Sequence, residues 1–315
     1  MTVGIVGAGA MGSLFGGRLS LSGQEVLLYD INTEHVQAIQ RRGLIIEDPA
    51  GGGSESCHPR ATGRPEDLKS VQILIIFVKS AATEEAAGRF AGLAGEATIA
   101  VTMQNGLGNE AILKQYFGEG RTAAGVTSQG ATFLGPGRIR HAGRGPTHLC
   151  MSDRENGKLE AFVEALNRAG LQADLEPNIE DLIWSKLIVN VGINALTALT
   201  GLPNGRLLEF ADCKTLMADL VAEAVMVAGK KGVHLTYADP LRTVYEVAEK
   251  TGANRSSMLQ DFDRKRASEI EFINGAILRE AEALGLEVPV NRTVTRLVRV
   301  WDALNAASSG AGAPA

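Results

Sequence analysis

A chain of 315 residues is about twice the length of a typical domain, so two domains are expected. It is 45% hydrophobic, with 31 basic against 36 acidic side chains and a formal charge of −5. That composition excludes a disordered chain and argues against a protein living mainly on nucleic acid. Cys57, Cys150 and Cys213 are too widely and irregularly spaced for a disulfide framework or a CxxC zinc site, and they fit a reducing cytosol.

The chain opens MTVGIVGAGAMG, with no basic stretch ahead of an apolar run, so no secretion signal is expected. VGIVGAG (3–9) reads as a strand, Ala10–Ser22 as a helix of small residues, QEVLLYD (24–30) as a second strand and Thr33–Arg42 as a helix. VQILIIFV (71–78) and ATIAVTMQ (97–104) are apolar without alternation, as strands buried on both faces should be. Strands alternating with helices imply parallel βαβ units. EDPAGGGSESCHPR (47–60) reads as a loop excursion outside the core, and the Gly-rich stretch Thr122–Met151 as antiparallel strands extending the sheet.

After about Glu176 the strand signal stops. Asp181–Thr200, Cys213–Lys231, Pro240–Lys250 and Ser256–Leu284 read as helices, punctuated by Pro203, Pro240 and Pro289. The expected architecture is therefore α/β, with a Rossmann-type domain over 1–176, an all-α domain over 177–307 and a flexible tail over 308–315. The run LIWSKLIVNVGINALTALTGL is apolar enough to suggest a membrane span, but Lys186, Asn190 and Asn194 interrupt it. A soluble, cytoplasmic protein is expected, with no membrane partner.

Gly7-Ala8-Gly9-Ala10-Met11-Gly12 matches G-x-G-x-x-G between a strand and a helix, with Asp30 ending the next strand. Gly7 permits the tight turn, Gly9 lets the backbone approach a pyrophosphate, and Gly12 lets the helix pack close. The helix N-terminus then offers N–H groups and partial positive charge to the phosphates. The plainer alternative is a Gly-rich strand–helix turn. Asp30 suits the two ribose hydroxyls of NAD and repels a 2′-phosphate, and Ile31-Asn32-Thr33 holds no arginine for one. This leans to NADH, the alternative being that Asp30 caps the following helix.

Asp181–Thr200 is apolar nearly all round, as a buried helix is. Lys186, Asn190 and Asn194 fall at i, i+4 and i+8, within an arc of about 80°. An ammonium and two amides in such a place are costly without partners, so one narrow polar row suggests a cleft. The alternative is a lysine reaching the surface beside two satisfied amides. In Ser256–Leu284, taken as one helix, Glu269 lies inside the apolar stripe while Glu271 points away. The alternative there is a surface pair between Lys265 and Glu269.

Together these segments resemble the ketopantoate reductase (2-dehydropantoate 2-reductase) family over nearly the whole chain. The matching blocks are GIVGAGAMGS, FVKS (77–80), QNGLGNE (104–110), GATFLGPGRIRHAG (130–143), WSKLIVNVGINALTAL (184–199) and NRSSMLQDFDRKRASEIEFINGAI (254–277). The resemblance implies a helical domain similar to the C-terminal domain of 6-phosphogluconate dehydrogenase. It implies Lys186 as the general acid on the substrate's keto oxygen, with Glu269 orienting substrate and lysine. It implies Asn190, Asn194 and Ser257 at the carboxylate and hydroxyl ends, Asn105 at the nicotinamide end touching both ligands, and Lys79 near the adenosine. Family members commonly use NADPH, with an arginine just after the second strand, where this chain has Tyr29-Asp30-Ile31-Asn32.

The implied reaction is NAD(P)H-dependent reduction of ketopantoate to (R)-pantoate in pantothenate biosynthesis, in a cleft between the domains. An NADH-dependent 2-hydroxyacid dehydrogenase for another branched 2-keto acid is the second reading, and a non-catalytic NAD(P)-binding sensor the third. His35, His58, His141, His148 and His234 show no ligand-like spacing, so no metal is expected. A homodimer is expected by analogy alone.

Overall fold

The structure is a computed structural model that describes residues 1–48, 52–151 and 157–308. The chain forms two units, one of Met1–Gln104 with Asn109–Ile179, the other of Asn105–Gly108 with the chain from Glu180 on.

The first unit runs β1 (Thr2–Val6), α1 (Ala10–Leu21), β2 (Glu25–Tyr29), α2 (Thr33–Arg42), β3 (Leu44–Glu47), β4 (Ser54–Cys57), β5 (Arg60–Thr62) and β6 (Ile73–Ile76). It continues through α3 (Thr83–Ala91), β7 (Ile99–Thr102), α4 (Asn109–Phe117), β8 (Thr122–Thr127), β9 (Gly130–Gly135), β10 (Arg138–Gly143), β11 (Thr147–Met151), α5 (Gly157–Arg168) and β12 (Ala173–Leu175). Its main sheet has the order β12-β11-β8-β7-β6-β1-β2-β5, parallel from β5 through β8. Ile73–Ile76 and Ile99–Thr102 are buried at every position, which a strand covered on both faces requires. From β1 the chain steps to β2 on one side and later to β6 on the other. The order thus reverses between β1 and β6, where an open α/β sheet leaves a crevice at its carboxyl edge.

Two expectations need correction here. The stretch 47–60 is not all loop excursion: Ser54–Cys57 is β4, paired antiparallel with β3, and it buries Cys57 in the core, while 49–51 lie outside the described residues. The stretch 122–151 does not simply extend the main sheet. β8 adds to it in parallel and β11 antiparallel, whereas β9 and β10 join β3 and β4 in a second sheet ordered β4-β3-β10-β9. The cause is period-2 patterning in RIRHAG, which turns Ile139 and His141 inward and leaves the arginines outside.

The second unit holds α6 (Glu180–Thr200), α7 (Ala211–Lys231), α8 (Pro240–Lys250), α9 (Ser257–Asp263), α10 (Asn274–Ala283) and α11 (Pro289–Ser308). The expected single helix Ser256–Leu284 is broken. Lys265 takes the left-handed conformation at φ +52°, and a 3₁₀ turn at Ile270–Phe272 separates α9 from α10. α6 is long and apolar enough to cross a membrane by length and composition, yet 67% of its most apolar stretch is buried. It is the central helix of its unit's core, with Trp184, Leu187, Ile188, Val191 and Leu196 packed against neighbouring helices. From residue 309 on, the expected tail lies outside the described residues.

Candidate active site

Of the predicted nucleotide-binding residues, Gly7 to Gly12 form the turn from β1 into α1, against the end of β6, whereas Asn105 belongs to the second unit. Gly7 lies at φ +93°, and a Cβ there would sit 2.8 Å from the backbone of Phe77 and Val78 at the end of β6. A Cβ on Gly12 would come within 2.0 Å of the Gly7 carbonyl oxygen, so only glycine lets α1 begin this close to β1. At Gly9 a Cβ would meet nothing within 4 Å. Gly9 is exposed at the N-cap of α1, no side chain caps the helix, and its first turn carries no acid. A bare helix N-terminus facing open space fits an anionic group such as a pyrophosphate.

A buried chain of hydrogen bonds fixes this turn from behind. His35 Nδ1 accepts the Gly137 N–H at 3.0 Å, which leaves the proton on Nε2, 3.0 Å from Ser13 Oγ; that hydroxyl donates to the Ala8 carbonyl at 2.7 Å. Burial holds His35 below its ordinary pKa, against the raising charge of Asp30. Asp30 follows β2, and its Oδ1 accepts the Asn32 N–H at 2.8 Å, while the cap of α2 is Asn32 rather than Asp30. The β2–β5 register brings Gly63 and Arg64 alongside, because the Asp30 N–H donates to Thr62 O. Arg64, which follows β5, is paired with Asp67 at 2.9 Å. Exposed Lys79 follows β6. Its loop is tied to the end of β7, since Gln104 Nε2 donates to Val78 O at 2.7 Å and to Thr83 Oγ1 at 2.8 Å.

The other predicted residues all lie in the second unit. Lys186, Asn190 and Asn194 sit on the unbroken α6, the first two half-buried and Asn194 buried. Burial pushes the Lys186 ammonium down to about 8, and the charge of Glu269 pulls it back up. The two residues are therefore electrostatic partners, although they come from segments distant in the chain. Glu269 is 7% exposed, but not through a helical stripe: it precedes the 3₁₀ turn, and Lys265 makes no helical pair with it. Glu271 does point away, into a bidentate pair with Arg299 at 2.6 and 2.7 Å.

Several contributors carry little or no local sequence signal. Thr197, one turn after Asn194, hydrogen-bonds Ser256 Oγ at 2.6 Å, and Ser256 caps α9 by accepting the Leu259 N–H. This joins the polar row to the start of α9, where half-buried Ser257 stands. TAL one turn beyond two asparagines was the available hint. Asn105 heads the loop whose Leu107 N–H donates to Phe272 O at 2.9 Å, three residues beyond Glu269 in the chain.

Away from these residues, His148 Nδ1 lies 2.6 Å from Asp174 Oδ1 and 3.6 Å from Glu176 Oε1. They form the one three-membered group of metal-ligating type among the described residues, brought together by the β11–β12 register rather than by sequence spacing. Buried His141 bonds Gln129 through Nε2 at 2.7 Å.

Known proteins match this chain over both units. The family model described as Ketopantoate reductase PanE/ApbA matches residues 3–153, and the one described as Ketopantoate reductase PanE/ApbA C terminal matches residues 178–302. The 2-dehydropantoate 2-reductase of Archaeoglobus fulgidus is 35% identical over 94% of this chain and 96% of its own length. That of Pyrococcus horikoshii is 33% identical over 98% and 100%. Among solved structures, a PanE/ApbA family ketopantoate reductase from Ralstonia eutropha superposes with a TM-score of 0.89 at 32% identity, covering 97% of this chain and 99% of its own. D-mandelate dehydrogenase in its ternary structure with NADH and anilino(oxo)acetate gives 0.88 at 28% identity, over 97% and 99%. With both of its halves matched in register and curated relatives above 30% identity along nearly their full length, the chain belongs to the ketopantoate reductase PanE/ApbA family.

Proposed function

We propose that this protein is a 2-dehydropantoate 2-reductase, reducing ketopantoate to (R)-pantoate with a nicotinamide dinucleotide in pantothenate biosynthesis. The observation that carries the reading is Lys186, an ammonium brought to about 8 by burial and opposed by the charge of Glu269, on a helix otherwise apolar. A cation of that strength stabilises an alkoxide and still surrenders its proton near neutrality.

The dinucleotide, when bound, supplies the hydride that C2 of the keto acid receives. Gly7, Ala8, Gly9, Ala10, Met11 and Gly12 hold its pyrophosphate, Asp30 its adenosine ribose, and Lys79 lies toward the adenosine. Lys186 holds a proton at Nζ against the keto oxygen, stabilises the charge that gathers there, and passes the proton on as the oxygen becomes a hydroxyl. Glu269 orients the ammonium and the substrate hydroxyl. Asn190, Asn194 and Ser257 bind the carboxylate and hydroxyl ends, and Asn105 touches both ligands.

Asp30, with no arginine at 31–33, favours NADH over NADPH in this reading. The same feature supports a second one: NADH-dependent reduction of another 2-keto acid, as the likeness to D-mandelate dehydrogenase with NADH suggests. A cytosolic location accords with three free cysteines. A homodimer accords with the exposed Leu297, Val300 and Leu304 along α11.

Steady-state kinetics with NADH and NADPH, against ketopantoate and simpler branched 2-keto acids, test these points. The highest kcat/KM is expected with NADH and ketopantoate. A larger value with another keto acid overturns the substrate, and a larger value with NADPH overturns the cofactor preference.

A further inference from the structure

Glu269 sits in a short irregular segment whose neighbours on both sides are held by one face of α11. On one side the Ser268 backbone N–H donates to Asp302 Oδ1 at 3.0 Å and the Ser268 hydroxyl donates to Asp302 Oδ2 at 2.7 Å. Both oxygens of one carboxylate are thus committed to one residue. The Ser268 hydroxyl oxygen in turn accepts the Ile270 N–H at 3.3 Å, so the clamp spans the residue between them, Glu269. On the other side Glu271 pairs with Arg299, one turn before Asp302. α11 is itself pinned at this level, because Trp301 stacks on Phe262 of α9 with ring centroids 3.4 Å apart and planes 4° apart.

We propose that Asp302 is a positioning residue for the reaction: by fixing Ser268 it holds the Glu269 carboxylate against the Lys186 ammonium. Three observations carry this. Glu269 stands in a broken stretch, where no helix or strand fixes its backbone. The carboxylate–backbone bond from Asp302 is charge-assisted and part-buried, the stronger kind of hydrogen bond. Asp302 also comes from a different helix, so the contact sets tertiary placement rather than local conformation. Glu269 is the group whose charge acts on Lys186, and the neighbouring Glu271 and Arg299 neutralise each other. Loosening the clamp should therefore weaken the field that keeps Lys186 protonated, leaving burial less opposed.

The proposal rests on the assignment of Lys186 and Glu269 to the reaction, so its test has one arm that needs no turnover. Lysine labelled with ¹³C at Cε, with the Lys186 resonance identified by its loss in Lys186→Ala, is titrated by NMR in the wild-type chain and in Asp302→Ala. The Lys186 midpoint should fall by about half a pH unit or more in Asp302→Ala. Asp302→Asn, which keeps an acceptor for the Ser268 N–H, should recover part of the shift. In the second arm, kcat for ketopantoate reduction should drop about tenfold in Asp302→Ala with the KM for NADH unchanged, and its fall at high pH should begin earlier. An unchanged Lys186 midpoint in folded Asp302→Ala overturns the proposal, even where the melting temperature has dropped. If Asp302→Ala does not fold, Asp302→Asn replaces it, since it removes the charge from both bonds, and an unchanged midpoint there overturns the proposal equally. Absence of turnover with any 2-keto acid in the wild-type enzyme removes the functional reading instead, and the titration still decides the clamp.

Discussion

Leu107 donates its backbone N–H to the carbonyl oxygen of Phe272, 2.9 Å away, and thereby ties the Asn105 loop to the segment that carries Glu269. Gly106 makes this possible. It lies at φ +86°, and a Cβ on it would fall 2.1 Å from that same carbonyl oxygen. Two residues from distant parts of the sequence, each proposed for the substrate end of the reaction, thus stand in segments joined by one backbone contact.

Gly106→Ala should break that contact. Left-handed backbone strain alone costs about 1–3 kcal/mol, and the methyl group cannot stay where the carbonyl is. Displacing Asn105 by about 1 Å should lower kcat on the order of 10²-fold. Dinucleotide affinity, governed mainly by the glycine turn, should change far less. Kinetics together with NADH titration check this, and wild-type kcat in Gly106→Ala would show that the contact positions nothing.

The glycines of the Gly7–Gly12 turn, proposed to hold the dinucleotide, should separate by function. Gly12→Ala forces α1 away from β1, since its Cβ meets the Gly7 oxygen at 2.0 Å, and should destabilise the fold by about 1–3 kcal/mol. Gly9→Ala puts its methyl group into open space and should leave the melting temperature near wild type. Its cost should appear in binding, with the NADH dissociation constant raised about tenfold or more because the backbone can no longer approach the pyrophosphate. Equal effects of the two substitutions on stability would contradict this division.

How much of this was legible in the sequence depended on the range of the forces involved. Continuous apolar runs gave the buried parallel strands, and a strand, three glycines and Asp30 gave the nucleotide turn, because each is decided within a few residues. Helices α3 and α4 went unread, being short and rich in small or polar residues, and α5 went unread despite an apolar stripe at Leu159, Phe162 and Leu166. α11 carried a usable period at Val290, Val294, Val298 and Trp301. The break after Asp263 was hidden because Lys265, neither glycine nor proline, adopts the left-handed conformation. Glu269 was thus picked by a helical stripe that does not exist, and its burial has another cause. Asp302 had no local signature at all, since its partner lies on another segment.

Lys186→Ala should lower kcat for keto-acid reduction by about 10²–10⁴-fold, the scale of a lost positioned acid. The pH dependence follows from burial, which pushes the ammonium down to about 8 against the raising charge of Glu269. Reduction needs the protonated lysine, so kcat should hold below pH 8 and fall as the pH rises through it. Oxidation of the 2-hydroxy acid needs the neutral amine and should show the opposite limb. In Lys186→Ala the limb near 8 should vanish from the residual rate, and its persistence there would assign it to another group.

Stability should fall on the acid side of neutrality, through two buried imidazoles. Burial lowers His35, with Asp30 opposing, and burial lowers His141, with Arg144 and Arg18 adding to it. A folded-state value below the unfolded 6.5 means that the unfolded chain binds protons the folded chain refuses. The contribution is therefore complete above pH 6.5 and is lost as the pH falls from there toward the folded-state values. For His35 the structural reason is direct. A proton on Nδ1 evicts the Gly137 N–H, and the chain through Ser13 to Ala8 loses its anchor. Melting temperatures between pH 7.5 and 5.5 should thus decline, as the unfolding free energy falls by up to about 1.4 kcal/mol per pH unit for each imidazole. His35→Gln should be less stable than wild type at pH 7.5 but should lose less on acidification. A parallel decline in both proteins would mean that His35 stays outside the titration, and that the Gly7–Gly12 turn is insensitive to it.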